Sequence, residues 1–431
     1  MSEPPSGRGW FAPQAQGQPA RVAGIPERVE VDAIERELRR LWSSLDGETT
    51  QGSRGTTDAH ITRICTLTLL AVVRNGRPSE VAAIAARLGA RYPSRSIILD
   101  LSPAGDGLGS AGRDSRIAVE IALNCHTPGS PVRSTVCCEQ ITVSASGRAL
   151  TRVPALVLPL LVPDLPVYVW WPDDLPADSG PAARAKDAPA TMKLQPAVRS
   201  AADGQPPEPE ADVLRRLAEV ADVLVVDSSA MRCPAAGLRT AAAIAGRLSG
   251  GLRDLTWGRL TPWRELIVQS FDPAPMRQAL ERLDRIRIRT EPGPGNDPIA
   301  GLLLGGWLAG RLRWEPAGPA RREGGLLRAL FWRDGGGLEL VVEGGAGPVL
   351  SFECAAAGAE PCTVSMTRRS GGESAVDIET RVGRGRPHKV AAGLAVADDT
   401  ALVGAELELT GVDQVLRESV EIVLRVMQGL P

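Results

Sequence analysis

The chain has 431 residues, enough for two or three domains that each bury a core. Its 49 basic and 51 acidic residues leave a formal charge of −2, without the basic excess that draws a protein onto nucleic acid. Seven scattered cysteines do not make a secreted disulfide framework, and the longest apolar stretch, residues 299–310, is too short to cross a membrane.

Residues 1–29 are rich in Pro, Gly and Gln and have no charged-then-apolar leader, so they read as a disordered N-terminus of a soluble, cytoplasmic protein. An amphipathic helix follows, with Val31, Ile34, Leu38, Leu41, Trp42 and Leu45 at helical spacing. "HITRICTLTLLAVV" reads as a strand, and "SEVAAIAARLG" as a helix capped by Ser79 and stopped by Gly89; "RSIILDLSP" closes a β-α-β unit. "RIAVEIAL" and "VCCEQITVSASG" add strands. In "VPDLPVYVWWPDD", Pro166 and Pro172 bracket an extended segment in which Val167, Val169 and Trp171 point one way and Tyr168 and Trp170 the other. Both faces are apolar. Either the strand lies between two layers, or one face awaits another protein.

Residues 177–210 are crowded with Pro, Ala, Asp and Gly and read as a linker or loop between an N-terminal α/β domain (30–176) and a larger C-terminal α+β domain (211–431). The C-terminal part is expected to hold a helix around "DVLRRLAEVA", a buried strand "DVLVVDSS", a helix at "LRTAAAIAGRL" and a helix opened by Thr261 and Pro262. In that last helix Trp263, Leu266, Ile267 and Phe271 share a side. "DPIAGLLLGGWLAGRLRW" starts another helix at Asp297 and Pro298, with glycines that allow close packing. Mainly antiparallel strands follow from Leu327, then a closing helix at "VDQVLRESVEIVLRVM". The fold class is mixed α/β (α+β): a mixed sheet first, then helices with antiparallel strands.

Gly107, Gly109 and Gly112 match a dinucleotide fingerprint, but the next segment has a period of two, whereas that fingerprint must open a helix. His60, His126 and His388 have no neighbours that suggest a triad or a zinc helix. Cys125, His126, Cys137 and Cys138 lack paired C-x-x-C spacing and read as structural thiols in adjoining strands. These patterns suggest no catalytic residue, cofactor site or metal site. Asp227 ends a buried strand, where α/β proteins often bind ligands; helix capping is the simpler account. "RIRIRT" puts Arg285, Arg287 and Arg289 on one strand face, either solvated or facing an anionic ligand or acidic partner. Cys354 and Cys362 flank a short turn between strand-like segments, which could bring them face to face as a switchable disulfide.

"LPLLVPDLPVYVWWPDDLP", "VLVVDSS", "LTWGRLTPWRELIVQSFD" and "GLLLGGWLAGRLRW" together resemble the glucose-6-phosphate dehydrogenase assembly protein family, OpcA, in order and spacing from Val31 onward. The resemblance implies a non-catalytic partner that binds glucose-6-phosphate dehydrogenase, promotes its active oligomer and stimulates the oxidative pentose phosphate pathway. The C-terminal part looks like the cyanobacterial form, which implies thioredoxin-linked control and strengthens Cys354 and Cys362 as the responsive pair. Trp170, Trp171, Asp173, Trp263 and Arg264 become candidates to form the partner surface or hold it in shape. The competing readings are a sensor that binds a sugar phosphate or nucleotide at the "VVDSS" edge, and an enzyme using Asp227, Ser228 and nearby arginines on a phosphorylated sugar.

Overall fold

The structure, a computed structural model, describes residues 20–25, 28–51, 60–74, 77–102, 116–126, 134–176, 209–333, 336–358, 360–369 and 374–429. The glycine triad at 107–112 and most of 177–210 lie outside the described residues. The chain opens with β1 (Ala20–Gly24), α1 (Val31–Gln51), β2 (His60–Arg63), β3 (Leu67–Val73), α2 (Pro78–Gly89), β4 (Ser94–Asp100), β5 (Ile117–His126) and β6 (Ser134–Ala145). Then come α3 (Val153–Val157), β7 (Val167–Trp171), α4 (Pro209–Ala218), β8 (Val223–Val226), α5 (Pro234–Ala245), β9 (Gly251–Asp254), α6 (Leu255–Arg259) and α7 (Thr261–Ser270).

These strands form one sheet in the order β1-β5-β6-β4-β3-β7-β8-β9, with β2 beside β6. From β6 to β9 every neighbouring pair is parallel, while β5 and β1 add an antiparallel margin. Central parallel strands are covered on both faces and read as unbroken apolar runs. All seven residues of β3 and all five of β7 are accordingly buried.

The alternation expected in β7 is present. Val169 and Trp171 belong to a cluster with Ile34 and Leu38 of α1, whereas Tyr168 and Trp170 pack with Val81 and Leu88 of α2. Leu402, Val403 and Leu407, from near the chain's end, complete the second cluster.

Three expectations need correction. β1 lies within the stretch read as disordered, pairing with β5 through Ala20 to Gly24. "HITRICTLTLLAVV" is two strands, β2 beside β6 and β3 beside β4, because the chain changes rows at 64–66. The segment 177–210 does not divide the sheets: β8 and β9 come after it, yet extend the first sheet from β7. Strands of four residues, too short to show which sheet they join, hid this.

The second half adds α8 (Ala274–Ala279), β10 (Leu283–Thr290), α9 (Ile299–Leu312), β11 (Glu315–Pro316), β12 (Arg321–Glu323), β13 (Leu326–Arg333), β14 (Gly336–Glu343) and β15 (Val349–Ala356). It closes with β16 (Cys362–Arg368), β17 (Ala375–Val382), β18 (His388–Gly393), α10 (Asp399–Glu408) and α11 (Gln414–Val426). The second sheet runs β11-β13-β14-β10-β15-β16-β17-β18, with β12 on β13; its pairs are antiparallel except β10 with β14. Ile286 and Ile288 face the core, and Arg285, Arg287 and Arg289 are exposed, as their alternation predicts.

The glycines of α9 set its packing distance. A Cβ on Gly301 or Gly305 would come within 2.5 Å of Val342 or Leu340 on the sheet beneath, and one on Gly306 would stand 2.9 Å from the Ser419 carbonyl oxygen of α11. Ser419 Oγ donates to the Leu303 carbonyl at 2.8 Å across the same contact. Gly306→Leu is therefore expected to lower the unfolding free energy by about 1–3 kcal/mol in urea titration, as overpacking against backbone does. Gly310→Ala, whose nearest neighbour would be 3.5 Å away, should leave it unchanged or raise it.

Candidate functional site

The parallel strands end together at their carboxyl edge, where the polar residues of the long motifs collect. After β7, Asp173 accepts the backbone N–H of Arg74, at the end of β3, at 2.8 Å. The Asp174 carbonyl accepts from Arg74 Nη1 at 2.9 Å and from Trp171 Nε1 at 3.0 Å. The Asp174 carboxylate takes the backbone N–H and Nε of Arg232, both at 2.6 Å. The two carboxylates behind the tryptophans thus hold the corner between neighbouring strands.

A second knot joins "VVDSS" to "LRDLTWGRLTPWRE". Asp227 meets Arg259 with two bonds of 2.8 Å, and Arg259 Nη2 also reaches Asp399, at the start of α10, at 2.9 Å. Asp227 Oδ1 further accepts from Ser229 Oγ at 2.8 Å and Thr256 Oγ1 at 3.0 Å. Burial alone would weaken the charge of Arg259, yet Asp227 and Asp399 raise its pKa above the ordinary value. Bidentate pairing of this kind is directional as well as strong.

Asp254 caps α6, accepting the backbone N–H groups of Ser228 and Thr256 at 3.0 Å each. It is fully buried; Asp254 Oδ2 and Ser228 Oγ have no hydrogen-bond partner among the described residues. Burial first, then the nearby Asp227 charge, push the Asp254 carboxyl up to about 6 against the hydrogen bonds that hold it down.

The same motif grips the C-terminal helices. Arg253, with 1% exposure, donates through Nη1 to the Gly250 and Leu252 carbonyls and through Nη2 to that of Gly411, with its Nε 3.6 Å from Glu406 of α10. Burial lifts Glu406 to about 7 despite the opposing pull of Arg253. Arg264 stacks 3.5 Å over the Trp257 ring and donates to the Trp257 carbonyl at 3.2 Å and to Thr261 Oγ1 at 2.8 Å. Burial brings Arg264 down to about 10, although Asp413 and Glu406 resist. Trp257 Nε1 donates to Asp413 at 3.1 Å, and Asp413 caps α11 through the Leu416 N–H at 2.9 Å.

The partner-surface candidates are therefore mostly internal. Trp170 and Trp171 are 1% and 0% exposed, and Trp263 and Asp173 are each 3% exposed, so none presents a side chain to another molecule. A strand in the middle of a covered sheet has no free face. Arg264 is half-buried in its stack.

The cysteines also differ from expectation. Cys354 faces Val364 and Cys362 faces Ala356, an offset of two residues, and both are free and buried. Burial pushes the Cys354 thiol up to about 12, which disfavours the thiolate that exchange chemistry needs. Cys125 and Cys137, read as structural thiols in adjoining strands, are direct cross-strand partners on β5 and β6 and form a disulfide with Cα atoms 4.0 Å apart. Both lie in segments read as adjoining strands, but spacing alone does not fix the register that sets them opposite. Arg253, Asp254 and Glu406 gave less warning, since burial of a charged residue cannot be read from its own sequence neighbourhood.

At the amino ends of β3 and β4 lies a cleft of about 410 Å³ lined by Glu35, Arg63, Cys65, Arg95, Cys137 and Glu139, among others. Its charges answer one another: Arg95 pairs with Glu139 at 2.7 Å and Glu35 at 3.0 Å, and Arg63 with Glu139 at 2.6 Å. Among the described residues no group of three or more His, Cys, Asp or Glu is arranged to hold a metal ion, and no helix is long and apolar enough to cross a membrane.

Fold and site together define a two-sheet α/β protein whose long motifs bind its first sheet to its last two helices. Two family models, described as the N-terminal domain and the C-terminal domain of a glucose-6-phosphate dehydrogenase subunit, match residues 85–184 and residues 250–420 respectively. With more than half of its length matched in order, the chain belongs to the glucose-6-phosphate dehydrogenase assembly family, OpcA. It is 29% identical over 237 residues to a protein of Synechocystis, and 28% identical over 249 residues to one of Nostoc punctiforme, both provisionally named OxPP cycle protein OpcA. These alignments cover 55% and 58% of this chain but 41% and 44% of the relatives, so the chain spans less than half the length of the proteins it matches. Among solved structures it is similar to the WlbA dehydrogenase of Thermus thermophilus (TM-score 0.39, 8% identity, 85% of this chain and 96% of that one). A dehydrogenase of Clostridium difficile is comparable (TM-score 0.37, 8% identity, 84% and 97%). Likeness this slight carries no inference.

Two outcomes test this geometry. Trp170→Ala should cost about 3–5 kcal/mol of stability in urea titration, the range for a fully buried large side chain, whereas an exposed aromatic would cost little. The raised carboxyls also give stability a sign with pH. Between the ordinary carboxylate range and about 7, the folded chain holds protons on Asp254 and Glu406 that the unfolded chain releases. Their contribution therefore falls as pH rises through that window. Denaturation midpoints should show Glu406→Gln gaining on the parent between about pH 5 and about pH 8.

Proposed function

We propose that the chain is a non-catalytic cytoplasmic partner of glucose-6-phosphate dehydrogenase that promotes its active oligomer, activates it allosterically and so stimulates the oxidative pentose phosphate pathway. The observation that carries this reading is the match of both family models, taken with motif residues that bond to one another. An activator works only by fitting one conformation of its target better than another. In this reading Trp170, Trp171, Trp263 and Asp173 hold the shape, and the contact falls to the outer face of α7, where Val268 is 54% exposed near Arg264. Exposed apolar residues beside an arginine are the usual material of an interface centre.

Thioredoxin belongs to this proposal as the source of redox control, acting on Cys125–Cys137 in place of Cys354 and Cys362. A thioredoxin dithiol would attack one sulfur of the bond, release the other as a thiol and leave as a disulfide, a two-electron exchange. Both cysteines are buried, so the exchange requires β5 and β6 to open locally beside the cleft that Cys137 lines. The cleft also supports the alternative reading, a sugar-phosphate or nucleotide sensor, at a place other than the "VVDSS" edge, whose Asp227 and Ser229 are bonded to each other and to Arg259 or Thr256.

Co-purification with the host dehydrogenase is the test. The chain should carry the enzyme with it, Val268→Glu should weaken that by about tenfold or more, and Cys125→Ser with Cys137→Ser should abolish any dependence on reductant. No retained enzyme in either redox state would contradict the reading. Calorimetric binding of glucose 6-phosphate or a nicotinamide cofactor to the isolated chain would favour the sensor.

A further inference from the structure

The core face of the second sheet is filled by Ile286, Leu340, Val342, Phe352, Val364 and their neighbours against α9. Its other face carries exposed Arg285, Arg287 and Arg289 on β10 and exposed Glu353 on β15, with Leu330 and Trp332 of β13 53% and 59% exposed. Cross-strand register fixes one row across this face: Arg321, Arg328, Val341, Arg287, Glu353, Ser365, Glu379, Lys389. Arg328 and Glu379 have ion-pair partners within the chain, whereas Arg287 and Glu353 have none among the described residues.

The geometry points to this face as the contact between two copies of this chain, related by a two-fold axis that runs along the strands between β10 and β15. Such an axis lays the row over its own reverse. Arg287 then meets Glu353 of the second copy and Arg328 meets Glu379, each contact occurring twice as an isologous interface requires, while exposed Arg321 and Lys389, the one like-charge pair in this row, meet at its outer margin, and Val341 stays buried beneath its neighbours. The rows on either side bring no like charges together: Arg285 falls over Ala355 and Glu339 over Thr363, while Arg289 falls over Ser351 and Glu343 over Thr367. Aligned sheets pack face to face at a crossing of about 30°, which keeps the central row in register.

The area is sufficient. Eight strands about 4.8 Å apart, each offering about six residues at ~3.3 Å, present roughly 750 Å² per copy. A standard specific interface buries about 800 Å² per partner. Arg287 and Glu353 are already cross-strand neighbours within one chain, and the second copy sets a further opposite charge over each.

Sedimentation velocity on the full chain, without the dehydrogenase, tests this separately from the proposed function. The parent should sediment as a dimer at micromolar concentration. Arg287→Glu and Glu353→Arg alone should each raise the dissociation constant about tenfold or more, and the two swaps combined should restore it to within about threefold. Both positions are exposed, so circular dichroism should be unchanged. A parent that stays monomeric, or a combined variant as weak as the single ones, overturns the proposal. A monomeric parent whose Arg287→Glu variant no longer retains the dehydrogenase overturns it too, and assigns the face to that enzyme.

Discussion

Arg259 grips Asp227 and Asp399 at once, and much of the molecule's arrangement follows from that contact. Asp227 stands at the carboxyl end of a strand in the first sheet, and Asp399 opens the helix that covers Trp170 on that sheet. One guanidinium therefore ties the start of α10 to the first layer, alongside the apolar packing of Leu402, Val403 and Leu407. Arg253 with Glu406, and Trp257 with Asp413, repeat the link nearby. Buried charges add little net stability when desolvation is counted, but removing one partner of a pair is costly. Here they fix a single arrangement of helix and sheet.

That arrangement bears on function. A carboxyl edge of parallel strands is where α/β proteins often bind small ligands. In this chain the acids and arginines of that edge bond to each other, and the loops they hold are those that carry the long motifs. Residues that first look like chemistry are joints of a scaffold, as the proposed role of presenting a shape to another protein requires.

Much of the fold is legible from side-chain period. The double-faced alternation in "VYVWW", the Ile/Arg alternation in "RIRIRT" and the glycines of α9 each state which side is buried, because local geometry alone sets those patterns. Sheet membership is less legible: "VLVV" looks the same whether it extends the first sheet or starts another, and only contacts between strands far apart in the chain decide. The cysteines divide the same way. Turn spacing made Cys354 and Cys362 look like partners, but register shifts them by two residues, whereas Cys125 and Cys137 stand opposite through strand pairing that spacing does not reveal. The paired tryptophans were conspicuous in a chain with only 3% aromatic residues. Their place in the middle of a covered sheet accounts for them without a partner.

The central claim is that the chain acts by biasing the shape of another protein. It is tested most directly by adding purified chain in steps to the host glucose-6-phosphate dehydrogenase while recording the enzyme's oligomer distribution and its rate. The account predicts that both rise together and saturate at a fixed ratio of the two proteins, with no turnover by the chain alone. An enzyme whose assembly and rate ignore the added chain, or a chain that converts substrate by itself, would contradict it.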